Sequence, residues 1–116
     1  MPRICYNRLM RGMKEPTDAW IYALADPLTA EIFYVGKTTC NPRERLHLHL
    51  SEARRGIATP KARLLRELLD NHLEPVLIPM LQVPYPEWPA AESDCMEQLR
   101  ALGCKLLNVA SSGGGP

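Results

Sequence analysis

The sequence predicts a single α+β domain, in which a small β-sheet is covered by helices in the order β-β-α-α-β-α. Two apolar segments rich in strand-forming residues follow each other across a short turn, which predicts a β-hairpin. Two amphipathic segments, a proline-interrupted apolar segment and a further helical segment come next. With 116 residues, of which 46% are hydrophobic, the chain suits one folded unit around one core.

The strands are predicted from apolar segments bounded by turn residues. Residues 20–25 (WIYALA) and 31–36 (EIFYVG) favour strands, and Asp26 begins the five-residue turn that joins them. Two strands joined by so short a connection are expected to pair antiparallel. Residues 75–83 (PVLIPMLQV) predict a third strand, which Pro79 restricts to the edge of the sheet or to a β-bulge, because proline cannot donate to the ladder.

The helices are predicted from capping signals and from apolar residues at helical spacing. Asn41 followed by proline begins a helix over residues 42–55, and Thr59 followed by proline begins a second helix that ends near residue 72. A third helix is expected over residues 89–102. The first and third helices are each followed by a glycine, which readily adopts the conformation of a helix end: Gly56 and Gly103.

The predicted elements lie within a domain that spans residues 20–110. Residues 1–19 show no clear periodicity and are expected to be a lead-in, and residues 111–116 are expected to be a flexible glycine-rich tail or linker. The start of the chain lacks the apolar block of a signal peptide, and no apolar segment is long enough to cross a membrane. We therefore expect a cytoplasmic protein that does not associate with a membrane.

The four cysteines do not form a recognisable metal or redox motif. No pair has C-x-x-C spacing, and the nearest mixed cluster, Cys40 with His47 and His49, lacks an obvious fourth ligand. Reduced thiols are expected in a chain without a secretion signal.

Positive charge is concentrated in one part of the chain, although the net charge is only +1. Residues 36–66 contain eight basic and two acidic residues, whereas the remainder contains six basic and eleven acidic residues. A basic segment on a nearly neutral protein is typical of local phosphate binding, although it also fits the solvated faces of two arginine-rich helices. The residues predicted to contact nucleic acid are Lys37, Arg43, Arg54, Arg55, Lys61, Arg63 and Arg66.

A second pattern begins in the predicted hairpin. Residues 20–22 (WIY) lie in the first strand, and residues 34–36 (YVG) begin twelve residues after Tyr22 in the second. Further elements of the pattern follow in order: Lys37, Thr38, Arg45, His49, residues 88–92 (WPAAE), and residues 102–108 (LGCKLLN) before a run of glycines.

Together these residues resemble the GIY-YIG nuclease family, with Trp20 in place of the first glycine and Val35 in place of an isoleucine. The resemblance extends over residues 20–115. It implies a small antiparallel three-stranded sheet flanked by helices, and an endonuclease that hydrolyses DNA phosphodiester bonds. It also implies one divalent ion, Mg²⁺ or Mn²⁺, held mainly by a glutamate, which Glu92 matches.

The resemblance implies catalytic roles for several residues of this chain. A base must take a proton from water, and positive charge must stabilise the transition state. Tyr22 matches the base, which requires that Lys37, Arg45 and the metal lower its pKa from the usual value of about 10. Tyr34 would then position water or phosphate, although the reverse assignment also fits. The residues concerned are Tyr22, Tyr34, Lys37, Arg45, His49, Glu92 and Asn108.

Three of these residues also fit simpler roles. Arg45 offers a planar fork of donors to phosphate, but it could equally be a surface arginine paired with Glu44 or Glu52. His49 could bond phosphate, orient a tyrosine or lie on the helix surface. Asn108 could bond backbone groups or groups of the metal site, or have a purely structural role.

Glu92 is the predicted metal ligand, but its local sequence also fits an acid in the first turn of a helix, facing the helix dipole. Asp94 and Glu97 are the competing carboxylates. They lie two and five residues further on, so they are expected to point away from the helix face that carries Glu92.

Two functions of different classes follow from this pattern. The first is a DNA endonuclease, either a free-standing enzyme of a phage or mobile element or a catalytic module that works with a separate DNA-recognition domain or protein. The second is a catalytically silent DNA-binding or protein-interaction module on the same fold. A metal-free hydrolase based on His49 has less support. The complete set of Tyr22, Tyr34, Arg45 and Glu92 favours the endonuclease, since a silent module has no need to keep all of them.

Overall fold

The computed structural model describes residues 16–108 and contains the predicted elements in the predicted order. The elements are β1 Asp18–Ala25, β2 Ile32–Thr38, α1 Pro42–Arg54, α2 Pro60–Asp70, β3 Val76–Pro84, a 3₁₀ turn Tyr85–Glu87 and α3 Trp88–Ala101. The strands form one antiparallel sheet with the order β2-β1-β3. The predicted α+β class, with a three-stranded antiparallel sheet flanked by helices, is confirmed. Residues 1–15 of the predicted lead-in and the whole predicted tail lie outside the described residues.

The first two helices begin at the capping residues that the sequence indicates. The Asn41 side chain accepts a hydrogen bond from Arg43 N at 2.8 Å, and Thr59 Oγ1 accepts one from Ala62 N at 3.1 Å. At their other ends, α1 and α2 are one and two residues shorter than predicted. Gly56 follows α1 with a φ of +83°, as expected of a glycine at a helix end. No helix between residues 16 and 108 has the length and apolar character needed to cross a membrane.

The third helix begins one residue earlier than predicted, because the 3₁₀ turn leads directly into it at Trp88. Glu92 is therefore the fifth residue of α3, and the first turn of this helix contains no acid. The alternative interpretation of Glu92, as a first-turn acid facing the helix dipole, is wrong. The helix ends at Ala101, and Gly103 follows with a φ of +96°.

The strand β3 has both features that Pro79 predicts. It is an edge strand, since within the described residues it pairs only with β1. Its register with β1 shifts between Ile21 and Tyr22, whose partners on β3 are Leu81 and Pro79, so Met80 has no partner of its own. The irregularity accommodates the proline without interrupting the sheet.

The register of the hairpin places the two tyrosines on the same face of the sheet. Tyr22 pairs with Gly36, and Leu24 pairs with Tyr34, so the tyrosines are diagonal neighbours. Their ring centroids are 6.4 Å apart. A Cβ atom at Gly36 would lie 2.5 Å from Tyr22 Oη and 2.9 Å from Tyr34 Cε2. Glycine is needed at this position because the Tyr22 ring lies directly over its backbone.

Apolar side chains cover both faces of the sheet. Tyr22 belongs to the cluster that α1 and α2 complete on one face, together with Leu46 and Leu65. Ile21, the preceding residue of the same strand, belongs to the cluster on the opposite face, where α3 contributes Met96. This alternation along β1 gives the sheet two buried faces and directs the Tyr22 hydroxyl towards α1.

The chain after α3 lies along the outer edge of β2. Leu107 N donates a hydrogen bond to Phe33 O at 2.7 Å. Asn108 bonds both backbone groups of Val35, accepting from its N at 3.2 Å and donating to its O at 2.7 Å. Of the roles considered for Asn108, the structure therefore shows the bonds to backbone. These bonds fix the backbone of β2 at Val35, the residue that follows Tyr34.

Candidate functional site

Four polar side chains lie in a connected row between β1, α1 and α2. Tyr22 Oη and His49 Nε2 are 2.6 Å apart, and both residues are fully buried. The other ring nitrogen, His49 Nδ1, lies 2.9 Å from Lys61 Nζ, which in turn lies 3.5 Å from Glu52 Oε1. His49 and Glu52 are three residues apart on α1, so both face the lysine on α2. We call Tyr22, His49, Lys61 and Glu52 the buried polar row.

His49 is held neutral in this environment. Burial lowers its pKa most, and the positive charges of Lys61 and Arg45 lower it further, to about 3. At neutral pH its imidazole therefore carries a single ring proton. The alternative interpretation of His49 as a surface histidine is wrong, because the residue is buried. Its contact with the Tyr22 hydroxyl fits a residue that orients a tyrosine.

Tyr34 lies beside the buried polar row and keeps part of its side chain exposed. Its ring meets that of His49 edge-on, with centroids 5.2 Å apart, and Lys61 Nζ lies 5.1 Å from the Tyr34 ring centroid. No residue between 16 and 108 forms a hydrogen bond with the Tyr34 hydroxyl. This hydroxyl is therefore free to bond a water molecule or a phosphate oxygen.

Arg45 brings positive charge to the site from the same face of α1 as His49, one helical turn earlier. Its charge counters the rise that burial causes in the pKa of Tyr22. The one salt bridge in the described part of the chain joins Lys61 to Glu52. Arg45 is therefore not the acid-paired surface arginine that its sequence also allows, and no described carboxylate neutralises its charge.

Tyr22 does not have the lowered pKa that the role of base requires. Burial raises the pKa of Tyr22 above its ordinary value, Tyr34 raises it further, and Arg45 acts in the opposite direction without outweighing them. Burial likewise raises the pKa of Tyr34. The expectation that neighbouring cations of the protein would lower the pKa of Tyr22 is thus wrong, because burial raises this pKa by more than Arg45 lowers it.

Glu92 brings a carboxylate to the site from α3. The residue is only 7% exposed, and its carboxylate forms neither a hydrogen bond nor a salt bridge with any residue between 16 and 108. Its oxygens still touch solvent, because every fully buried side-chain oxygen in the described residues has a partner. Burial raises the pKa of Glu92, and Lys37 opposes the rise. In addition to burial, the charge of Glu92 raises the pKa of both Tyr22 and Tyr34, so the carboxylate lies near enough to act on the two tyrosines.

Lys37 contacts Trp88 and interacts electrostatically with Glu92. Its Nζ is 4.4 Å from the centroid of the Trp88 ring, a cation–π contact. Burial lowers the pKa of Lys37, and the Glu92 carboxylate opposes this effect. Lys37 therefore supplies positive charge on the α3 side of the cluster, whereas Arg45 supplies it on the α1 side.

The Glu92 carboxylate fits one hard divalent cation. Mg²⁺ prefers oxygen ligands and keeps several of its waters, so a single carboxylate with unused lone pairs suits it. Between residues 16 and 108, no three histidine, cysteine or acidic side chains gather into a group that could hold a metal ion. Asp94 and Glu97 are exposed, whereas Glu92 is buried, in agreement with the expected helix faces. Within the described chain, Glu92 is thus the residue that would hold an ion at this site.

The other basic residues predicted to contact nucleic acid lie outside this cluster. Most of them are exposed: Arg43, Arg54, Arg55 and Arg63 are exposed, and Arg66 is half-buried. Arg54 follows Arg45 by nine residues, which places it about half a turn away around α1. No salt bridge to a described residue neutralises any of these arginines. Lys61 differs from them, because its side chain is only 13% exposed and belongs to the buried polar row.

The cysteines follow the sequence-based expectation only in part. Cys95 and Cys104 are free thiols, but Cys40 is disulfide-bonded, which corrects the expectation of a reduced thiol at that position. His47 is exposed, and His49 is engaged in the buried polar row. The structure therefore does not form the metal cluster of Cys40, His47 and His49.

Three contributors to the site are not identified by the sequence. Lys61 lies against His49 instead of facing solvent with the other basic residues, Glu52 pairs with Lys61, and Trp88 covers Lys37. The spacing of three residues between His49 and Glu52 indicates that they share a helix face. Nothing in the sequence indicates that packing of α2 against α1 brings Lys61 to that face.

No protein-family model, no curated protein and no solved structure matches this chain. The resemblance to GIY-YIG nucleases rests on the residues named above.

Lowering the pH from about 7 to 5 should destabilise the protein through His49. The histidine has a pKa of about 3 in the folded chain and 6.5 as its ordinary value. The unfolded state therefore binds a proton first, so the stability that the neutral ring contributes is present above pH 6.5 and is lost as the pH falls towards 3. For this one group the loss at pH 5 is roughly 2 kcal/mol of the free energy of unfolding, measured by urea denaturation.

Two variants isolate this effect from other titrations. His49→Gln should have a weaker pH dependence than the wild type. His47→Gln, at an exposed position of the same helix, should keep the wild-type dependence. Equal pH dependence in the wild type and His49→Gln would contradict a buried neutral histidine.

Proposed function

We propose that this chain is an endonuclease of the GIY-YIG type, which hydrolyses DNA phosphodiester bonds with the help of one divalent ion. The observation that carries the proposal is the contact among Tyr22, Tyr34 and His49, from β1, β2 and α1. Arg45 and Glu92 lie near enough for their charges to act on the pKa values of both tyrosines. Partial burial of an arginine and an unpaired carboxylate beside two tyrosines costs free energy, so stability of the fold does not account for it. These groups are the ones that the proposed phosphodiesterase would use.

The charges around the cluster favour a phosphodiester substrate. Arg45 places positive charge near the two tyrosines, and Lys37 places it near Glu92, which suits a phosphate and the additional charge of its transition state. The exposed arginines of α1 and α2 would contact the DNA backbone further from the bond that is cut. That the polymer is DNA follows from the family resemblance, and a separate domain or protein would supply sequence specificity.

Tyr22 is assigned as the base that takes a proton from the attacking water. Its hydroxyl is the one within hydrogen-bond distance of His49 Nε2, and Arg45 acts to lower its pKa, so both groups are able to stabilise an ionised hydroxyl. The unbonded hydroxyl of Tyr34 would orient the water or a phosphate oxygen. Arg45 would donate to the phosphate oxygens and offset the negative charge of the transition state.

The burial of Tyr22 sets two conditions on this assignment. Its side chain is fully buried, so the attacking water has to reach Oη when DNA is bound. Its pKa is raised, so only a small fraction of the hydroxyl is ionised at neutral pH. The second condition makes the rate of cleavage depend on pH.

Glu92 would hold Mg²⁺ or Mn²⁺ through its carboxylate, which no described residue engages in a hydrogen bond. When bound, the ion would neutralise charge on the phosphate and stabilise the leaving oxygen. Lys37 opposes the rise in the pKa of Glu92 that burial causes. It thus helps to keep the carboxylate ionised, which is the form that binds a cation.

A catalytically silent DNA-binding module is the second candidate, and the burial of Tyr22 favours it. On that interpretation the tyrosine and His49 form a structural hydrogen bond in the core. DNA would bind to the basic residues without being cut under any ionic condition. The two functions therefore differ in the behaviour of the wild-type protein as well as in that of its variants.

Replacing Glu92 with alanine should abolish cleavage of supercoiled plasmid in the presence of Mg²⁺ or Mn²⁺, because the carboxylate that would hold the ion is removed. DNA affinity, measured by fluorescence anisotropy, should survive. Asp94→Ala is the matched control, since Asp94 is an exposed acid on the same helix, and it should cut like the wild type. Undiminished cutting by Glu92→Ala, or by the wild type in excess chelator, would contradict the metal assignment.

Replacing Tyr22 with phenylalanine should lower the single-turnover rate of cleavage by about 10²- to 10⁴-fold, the usual contribution of general-base catalysis. Tyr34→Phe should lose less, and Tyr85→Phe, outside the cluster, should be unaffected. Because the pKa of Tyr22 lies above its ordinary value, the wild-type rate should rise about tenfold per pH unit from about pH 6 to 9. A larger loss in Tyr34→Phe would transfer the role of base to Tyr34, and normal rates in both variants would contradict the mechanism.

A further inference from the structure

We propose that Lys61 is a positioning residue that fixes the tautomer of His49, so that Nε2 carries the ring proton and donates a hydrogen bond to Tyr22 Oη. The tautomer itself follows from the contacts of the buried polar row. Its consequence for catalysis rests on the proposed function, in which Tyr22 is the base.

The direction of each hydrogen bond follows from what Lys61 can do. An ammonium group has three donors and no acceptor, so at 2.9 Å from His49 Nδ1 it donates and Nδ1 must offer its lone pair. A neutral imidazole carries one proton, which is then on Nε2. Since Nε2 lies 2.6 Å from Tyr22 Oη, the ring donates and the tyrosine oxygen accepts.

Two neighbours of Lys61 favour the charged form that this direction requires, although burial lowers its pKa. Glu52 Oε1 lies 3.5 Å from Nζ, and the face of the Tyr34 ring lies 5.1 Å away, both of which favour an ammonium. Burial and Arg45 act in the opposite direction on the pKa of Lys61, and Glu52 opposes them. The titratable and charged groups that face Lys61 and His49 are Arg45 and Glu52 on α1, Tyr22 on β1 and Tyr34 on β2.

This arrangement makes His49 a donor to Tyr22 instead of an acceptor from it. The Tyr22 proton is then not held by the histidine, and it passes to a water molecule that reaches Oη when DNA is bound. The resulting phenolate keeps a charge-assisted hydrogen bond from Nε2. That phenolate can take a proton from the attacking water. With the opposite tautomer, Nε2 would accept the hydroxyl proton and favour the neutral tyrosine. Lys61 therefore supports the base without touching DNA, although its sequence predicts a contact with phosphate.

The tautomer can be measured directly on the DNA-free protein with ¹⁵N-labelled histidine. Long-range ¹H–¹⁵N correlation spectra at pH 7 should show His49 with a protonated Nε2 and an unprotonated Nδ1. Lys61→Met should shift the ring towards the opposite tautomer, because Nδ1 loses its donor. Lys61→Arg, which keeps a charged donor, and Arg63→Met, which removes an exposed charge from the same helix, should both keep the wild-type pattern.

The spectra also contain the outcomes that overturn the proposal. A wild-type His49 with its proton on Nδ1 would overturn it, and so would an unchanged tautomer in a folded Lys61→Met variant. If Lys61→Met does not fold, the wild-type and Lys61→Arg spectra alone decide, since the predicted tautomer is a property of the unmodified chain. None of these results depends on cleavage, so failure of the tautomer assignment is distinguishable from failure of the proposed function.

Cleavage then tests the catalytic consequence. Lys61→Met should lower the single-turnover rate by about 10- to 100-fold, as expected for loss of a charge-assisted hydrogen bond to the phenolate, and should shift the pH–rate profile to higher pH. Its affinity for DNA should stay close to that of the wild type, and Lys61→Arg should restore the rate. A Lys61→Met variant with normal rate but weakened, less salt-dependent binding would show that Lys61 contacts phosphate instead.

Discussion

The hydrogen bond between Tyr22 and His49, 2.6 Å long and shielded from solvent, is the constraint on which the rest of the site depends. A buried polar group needs a hydrogen-bond partner, so burying this bond places a requirement on the surroundings of each of the two residues. The tyrosine ring lies where a side chain at position 36 would be, which only glycine permits. The histidine needs a partner for its second nitrogen, which Lys61 provides, and Lys61 in turn needs Glu52.

The sequence is sufficient for those parts of the fold that depend on local signals. Asn41 and Thr59 mark helix starts because their side chains bond the backbone within the next few residues. Pro79 indicates an edge strand and a bulge because it lacks a donor. That the two tyrosines lie on adjacent strands is also accessible, since a short turn predicts a hairpin. Their diagonal register is not, because an irregularity between Leu24 and Ala25 shifts the pairing.

The electrostatics of the site could not be predicted in the same way, because they depend on how deeply the elements bury each group. The sequence shows cations around Tyr22 and so suggests a lowered pKa, but it does not show that burial outweighs them. It places Lys61 among the phosphate-binding residues, because the packing of α2 against α1 cannot be read from the sequence. Arg45 and Arg54 both lie in the basic segment of the sequence, although α1 directs them to different sides.

Incubation of supercoiled, branched and single-stranded DNA with the purified wild-type protein is the most direct test that this cluster cuts DNA. With Mg²⁺ or Mn²⁺ the protein should break the backbone of at least one of these substrates, faster at pH 9 than at pH 7, and excess chelator should stop the reaction. Intact DNA at every pH and with both ions, in a preparation that still binds DNA, would contradict the nuclease assignment and support the silent module.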